Sequence, residues 1–256
     1  MRIVCLSAES ADILCRLGAG CHIVGVTAYA ALPRSLAKVP RVSGFSSANV
    51  KLIIALRPDL VLGYSDVQAA IAAQLVEAGL KVLITHQISL AEIEESILTL
   101  GRIVGKERPA VQLAQRFHSA LGTRHAPLSH RPRVYFEEWP DPMISGICWV
   151  SELIERAGGQ DIFPELRSHR RAQPRVVDSA EVVRRNPEVI IASWCGKKVR
   201  WEEIRRRPGW DQIEAVRAKR LFEISSTDIL QPGPQLVKGY RHLCGILSCL
   251  ILDESQ

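Results

Sequence analysis

Leu56-Arg57-Pro58-Asp59-Leu60-Val61-Leu62 and Arg185-Asn186-Pro187-Glu188-Val189-Ile190-Ile191 are one phrase written twice. Each reads as a helix end, a residue followed by proline, an acid, and then a continuous apolar run. The residue before a proline resists helix, so the helix stops and an extended segment begins. An apolar run without alternation belongs to a strand covered on both faces, as in a parallel sheet. One such phrase is easily met by chance. Two, at matching places in the halves of a 256-residue chain, predict two similar α/β lobes.

The pattern extends outward from both phrases. In the first half, strands are expected at 2–6, 22–26, 59–62 and 81–85. Helices are expected at 8–17, closed by Gly18, at 50–56, and at 67–78, closed by Gly79. The second half repeats this with strands at 133–136 and 188–192 and helices at 149–157 and 179–185. Between the halves, Ser89 can cap a helix over 90–104, and Pro109 suits the first turn of another. Ala110, Leu113, Ala114, Phe117 and Leu121 make one stripe on that second helix, and Pro127 and Pro132 end it. The expected organisation is therefore an N-terminal lobe (1–104), an interlobe helix and linker (105–130), and a C-terminal lobe (131–256). Both lobes are Rossmann-like, with central parallel sheets. A single helical tie of about twenty residues, roughly 30 Å long, joins them.

Hydrophobic residues are 47% and charged residues 23%, which excludes disorder, collagen and coiled coil as descriptions of the chain. No apolar run approaches the ~18 residues of a membrane helix; the longest, 245–252, reads as a buried terminal helix. The net charge of +6 is spread along the chain, without zinc-knuckle spacing or an aromatic ribonucleoprotein motif, so no nucleic-acid partner is expected. Met1-Arg2 leads straight into an apolar strand, and Glu9, Asp12 and Arg16 follow, unlike a secretory leader. The seven cysteines (Cys5, Cys15, Cys21, Cys148, Cys195, Cys244, Cys249) show no framework spacing and read as free thiols. Both features point to a cytoplasmic protein; a periplasmic one whose leader has been removed is the alternative.

Enzyme signatures are missing: no P-loop, no G-x-G-x-x-G after the first strand, no H-E-x-x-H and no G-x-S-x-G. Trp194-Cys195-Gly196 is half a thioredoxin motif, and Lys197-Lys198 beside it could lower the Cys195 pKa, although an ordinary thiol at a strand end is the favoured reading. The seven histidines, His118 and His125 included, lack ligand spacing, so no metal site is expected.

Aromatic residues carry the most information, because they make up only 5% of the chain. Tyr29 and Phe45 follow the second strand, Tyr64 follows the strand ending at Gly63, Trp139 follows the strand 133–136, and Trp194 follows the strand ending at Ala192. In open α/β sheets, ligands bind beyond the carboxyl ends of strands. Two facing lobes would set these rings on the walls of one cleft. Ser65, Asp66, Asp141, Ser145, Asp228 and Gln231 supply polar groups near the same ends. Aromatic walls with polar edges suit a large flat ligand.

These residues resemble a family: the helical-backbone class of ABC transporter substrate-binding proteins, whose members bind cobalamin, haem and iron–siderophores. The resemblance covers essentially the whole chain. It is carried by Ile3-Val4-Cys5-Leu6-Ser7 with Glu9, Gly25-Val26-Thr27-Ala28-Tyr29, Ile54-Ala55-Leu56-Arg57-Pro58-Asp59-Leu60-Val61, and Gly233-Pro234 before the final helix. The segment from Glu138-Trp139 through Trp149-Val150-Ser151-Glu152-Leu153-Ile154 to Ala157-Gly158-Gly159 is most similar to cobalamin-binding members.

The resemblance implies a non-enzymatic, monomeric corrinoid binder without a catalytic cofactor. Tyr29, Phe45, Tyr64, Trp139 and Trp194 would pack on the macrocycle. Ser65, Asp66, Asp141, Asp228 and Gln231 would hydrogen-bond its amides, and Cys195 and Lys197 would lie beside it, the lysines meeting the nucleotide-loop phosphate. The family docks on a transporter permease through an acid on each lobe. Asp211 and Glu214 can serve in the second lobe, but the first-lobe position is Lys51, which would repel an arginine. Ferric-siderophore or haem binding is the alternative, and a tetrapyrrole-modifying enzyme using Cys195 a more distant one.

Overall fold

A computed structural model describes residues 1–122 and 130–253, with no side chains beyond 250. The chain divides into two compact units, residues 1–118 and 119–256. The first contains β1 (Ile3–Cys5), α1 (Ala8–Arg16), β2 (Ile23–Thr27), β3 (Arg41–Ser43), α2 (Val50–Ala55), β4 (Leu60–Tyr64), α3 (Ala69–Glu77), β5 (Val82–Thr85), α4 (Leu90–Ile103) and α5 (Glu107–Ala120), whose last two residues pass into the second unit. Its sheet has the order β3-β2-β1-β4-β5, parallel throughout. Helices cover both faces, so β1 is fully buried. On one face Val4, Leu6, Val42, Ile53, Val61, Ile71 and Leu75 form a continuous core.

The second unit holds β6 (Arg133–Pro140), β7 (Met143–Ser145), α6 (Cys148–Arg156), β8 (Gln160–Asp161), α7 (Ser179–Arg185), β9 (Val189–Ala192), α8 (Trp201–Arg205), α9 (Glu214–Arg217), β10 (Leu221–Glu223), α10 (Ser226–Ile229) and α11 (Leu236–Asp253). Its sheet runs β10-β9-β6-β7. β6 is long enough to pair twice along one edge: its first residues are parallel to β8, its last antiparallel to β7.

The repeated phrase is a repeated mechanical device. Arg57 (φ 45°) and Asn186 (φ 44°) both adopt the left-handed region, so the helix stops by reversing its hand and not by extending. The acid after each proline then grips the first strand of its sheet. The Arg2 amide donates to the Asp59 carboxylate at 2.6 Å, and the Arg133 amide to Glu188 at 2.8 Å. The same two arginines donate their guanidinium groups to the turn carbonyls, Leu56 O in one unit and Asn186 O in the other. Arginine at the strand start, X-Pro and acid together pin the edge where the strands begin.

The strands β3, β7, β8 and β10 were not legible in the sequence; they are two or three residues long, and all but β7 include charged or amide side chains. The interlobe tie also differs from expectation. Ser89 caps α4 by accepting from the Glu92 amide, and the Glu92 carboxylate reaches back to the Ile88 amide. Gly105 (φ 65°) then breaks the helix. The following α5 has 14 residues, about 21 Å, and all but its last two belong to the first unit. The stripe residues Ala110, Ala114 and Phe117 are buried. α4 and α5 approach so closely that a Cβ on Gly101 would lie 2.2 Å from the Ala110 Cβ. His125 and Pro127 lie outside the described residues.

Candidate functional site

In the first unit, the sheet order places a topological switch between β1 and β4, whose outgoing connections leave in opposite directions. Tyr29 and Phe45 follow the neighbouring strands β2 and β3. Their side chains are 55% and 48% exposed, whereas Trp194, Trp210, Tyr135, Phe117 and Phe136 are sealed inside the protein. The Tyr29 loop is held by Arg41, which donates to Thr27 O at 3.0 Å and Ala30 O at 2.7 Å. Tyr64 is half-buried; its hydroxyl donates to Gln87 O, and its ring meets His86 edge-on with centroids 6.0 Å apart. Ser65 takes a left-handed φ of 59°, and its hydroxyl accepts from the Val67 amide, which commits it to the turn. Asp66 is exposed.

Behind this rim lies Glu9, only 6% exposed, with Oε1 lacking a hydrogen-bond partner among the described residues. Burial pushes its carboxyl up to about 7, against a weaker opposing hydrogen bond from Ser7. It borders a small cavity, roomy enough for about one water molecule, together with Ser10, Thr85, Ser96 and Leu100.

In the second unit, Trp139 closes the end of β6. Its indole N–H donates to Asp141 O at 2.8 Å, and the Lys197 ammonium sits 4.2 Å from its ring centroid. That cation–π contact is worth about 0.5–1 kcal/mol at an exposed site. Glu138 binds Arg175 through two hydrogen bonds of 2.6 and 3.3 Å, and Arg175 also donates to Ser145 O at the end of β7. Asp228 lies on α10 and Gln231 on the loop after it, both half-buried. Arg41 and Arg175 were missed in the sequence, since nothing local marks an arginine that staples distant loops; Glu9 entered only through the family resemblance, without its burial.

Two expected residues require correction. Trp194 is 2% exposed and packs in the core of the second unit, with its indole N–H donating to Glu137 at 3.1 Å. It turns inward because Glu137, fully buried, needs donors; Arg207 and Tyr135 supply the others. Trp194 therefore presents no ring to a ligand. The Cys195 thiol is exposed, and its pKa is raised, not lowered, by partial desolvation and then by Glu138; the neighbouring lysines do not reverse this.

The positions expected to meet a transporter are Asp211, Glu214 and Lys51. Asp211 is exposed on the turn Trp210–Gln212. Glu214 is engaged by Arg220 and by Arg133, at the beginning of β6. Lys51 is exposed in the first turn of α2. Among the described residues, no group of three or more His, Cys, Asp or Glu is placed to hold a metal ion, and no helix is long and apolar enough to cross a membrane.

Comparison with known proteins extends these observations. An ABC transporter substrate-binding lipoprotein of Bacillus subtilis, YvrC, itself uncharacterized, is 28% identical over 254 residues, covering 94% of this chain and 78% of its own length. A vitamin B12-binding protein of Yersinia pestis is 28% identical over 205 residues, covering 77% of this chain and 71% of its own. The apo structure of the periplasmic haem-binding protein RhuT from Roseiflexus matches with a TM-score of 0.81 at 20% identity, covering 98% of each chain. The fold is therefore shared with these proteins.

The comparisons overturn the cytoplasmic expectation, because the relatives are periplasmic proteins or lipoproteins. Free thiols were a poor guide to compartment: Cys5, for example, is wholly buried, out of reach of an oxidant in either one. The family model for periplasmic binding proteins matches residues 3–227. The chain belongs to the periplasmic binding protein family, as a substrate-binding protein of the ABC-transporter type.

Proposed function

We propose that the protein binds cobalamin or a related corrinoid and presents it to an ABC transporter. The observation that carries this reading is the exposure of Tyr29 and Phe45, on adjacent strand ends, in a chain that hides most of its few aromatic rings. Exposed rings on adjacent strand ends offer stacking surface to a flat ligand. In the first unit, Tyr29, Phe45 and Tyr64 supply stacking surface, and Asp66 and the turn at Ser65 supply polar edges. In the second unit, Trp139 supplies another ring, Asp141, Asp228 and Gln231 offer groups for the corrin amides, and Cys195 borders the same strand end. Lys197 provides a cation for the nucleotide-loop phosphate. The 28% identity to a vitamin B12-binding protein over 77% of the chain supports the same ligand class.

Absorption titration tests the proposal with cyanocobalamin, cobinamide, haemin and a ferric siderophore. Saturable binding of a corrinoid at micromolar concentration or below is expected. Tyr29→Ala and Phe45→Ala should each weaken it by about three- to tenfold, the equivalent of one lost aromatic contact. Saturation by haemin or the siderophore alone would replace the corrinoid assignment.

A further inference from the structure

Gln68 lies 2% exposed at the end of the turn Asp66–Gln68, and its amide joins three separate strand ends. Nε2 donates to Leu6 O beyond β1 and to Phe45 O beyond β3, both at 3.1 Å. Oε1 accepts from the Tyr64 amide at the end of β4, at 3.0 Å. The orientation of the amide follows from these partners, because two carbonyls can only accept and one N–H can only donate.

The backbone around Gln68 is shaped for it. A Cβ on Gly63 would lie 2.8 Å from Gln68 Oε1 and 2.5 Å from Ile84 Cδ1, so only glycine leaves the amide room. Ser65, held at φ 59° with its amide on Thr85 O, turns the chain so that Gln68 points back under the rim. The hub joins β1 and β4, the two strands that flank the topological switch, to the loop that presents the exposed Phe45 ring.

We propose that Gln68 is a positioning residue for ligand binding: it fixes the Phe45 loop in place before the ligand arrives. Its contribution is preorganisation, since ordering that loop at the moment of binding would consume interaction energy. The identity of the ligand rests on the corrinoid reading, whereas the geometry of the hub does not.

Gln68→Leu, close in size and unable to make any of the three bonds, tests the proposal in the full chain. Hydrogen exchange at the Tyr64 amide should rise by about tenfold or more, while the Val61 amide, bonded to Lys81 O, keeps its protection. A fluorine label on the Phe45 ring should show a narrowed line. Cyanocobalamin affinity should fall by about tenfold in the native background but by less than about threefold in Phe45→Ala, because a residue acting through Phe45 has little left to position once the ring is gone. A merely structural glutamine would cost the same affinity in both backgrounds, and that result overturns the proposal. An unchanged Tyr64 amide and Phe45 line overturn it as well. If the native protein takes no cyanocobalamin, the corrinoid reading falls, and the exchange and fluorine measurements still decide the role of Gln68.

Discussion

The Glu9→Gln substitution should make the first unit more stable at neutral and alkaline pH while leaving it nearly unchanged in acid. Glu9 titrates at about 7 in the folded protein against an ordinary value of 4.5, chiefly because burial disfavours its charged form. A carboxyl raised in this way favours the folded state while it is protonated. Its contribution is fully present below pH 4.5 and is lost as the pH climbs through 7. The gap between the two values corresponds to about 3 kcal/mol. Glutamine has a similar shape and no charge to bury, so the variant should keep what the native protein loses. Urea unfolding at several pH values between 4 and 8.5 measures this, with a brief thiol-labelling pulse at Cys5 as the reporter. Cys5 is wholly buried, with its thiol pushed up to about 12, so it reacts only when the first unit opens. The expected result is a stability difference near zero at pH 4 that grows to about 3 kcal/mol at pH 8. A difference that stays constant across that range would refute the burial argument.

In the second unit, Glu137→Ala should destabilise by about 3–5 kcal/mol, because it leaves the Arg207 guanidinium and the Trp194 indole N–H buried without their acceptor. Denaturation followed by tryptophan fluorescence measures it, and a loss below about 1 kcal/mol would show that the network relaxes freely. Gly101→Ala should cost about 1–3 kcal/mol by wedging α4 from α5. Adding Ala110→Gly should recover part of that loss in a thermal melt; no recovery would place the strain elsewhere.

The repeated phrase was legible because it is local: proline, acid and apolar run sit within seven residues of one another. What the acid does was not legible. Asp59 meets Arg2, and Glu188 meets Arg133, across more than fifty positions of chain. The residue before each proline also behaved unexpectedly, taking the left-handed turn that asparagine tolerates and arginine seldom adopts. The rim was only half legible. Trp139 and Trp194 were both expected to follow a strand; β6 in fact runs on through Trp139 to Pro140, and nothing in the sequence says that Trp139 stays out under Lys197 while Trp194 turns in to Glu137. That choice depends on which way a side chain leaves the sheet and on which buried group lacks a donor, facts that arise only once β6 and β9 are paired. Gln68 was hidden for the same reason, since its three partners come from three strand ends that sequence keeps far apart.

The arginine–acid clasp has an architectural consequence. Each sheet is anchored where its strands set out, so the exposed loop tips beyond their finishing ends, outside the Gln68 and Glu137 networks, carry little of that burden. Residues there can be exchanged, lengthened or recharged on an unchanged foundation. A scaffold of this kind can acquire a new cargo by redrawing one coastline while the opposite shore stays as it was.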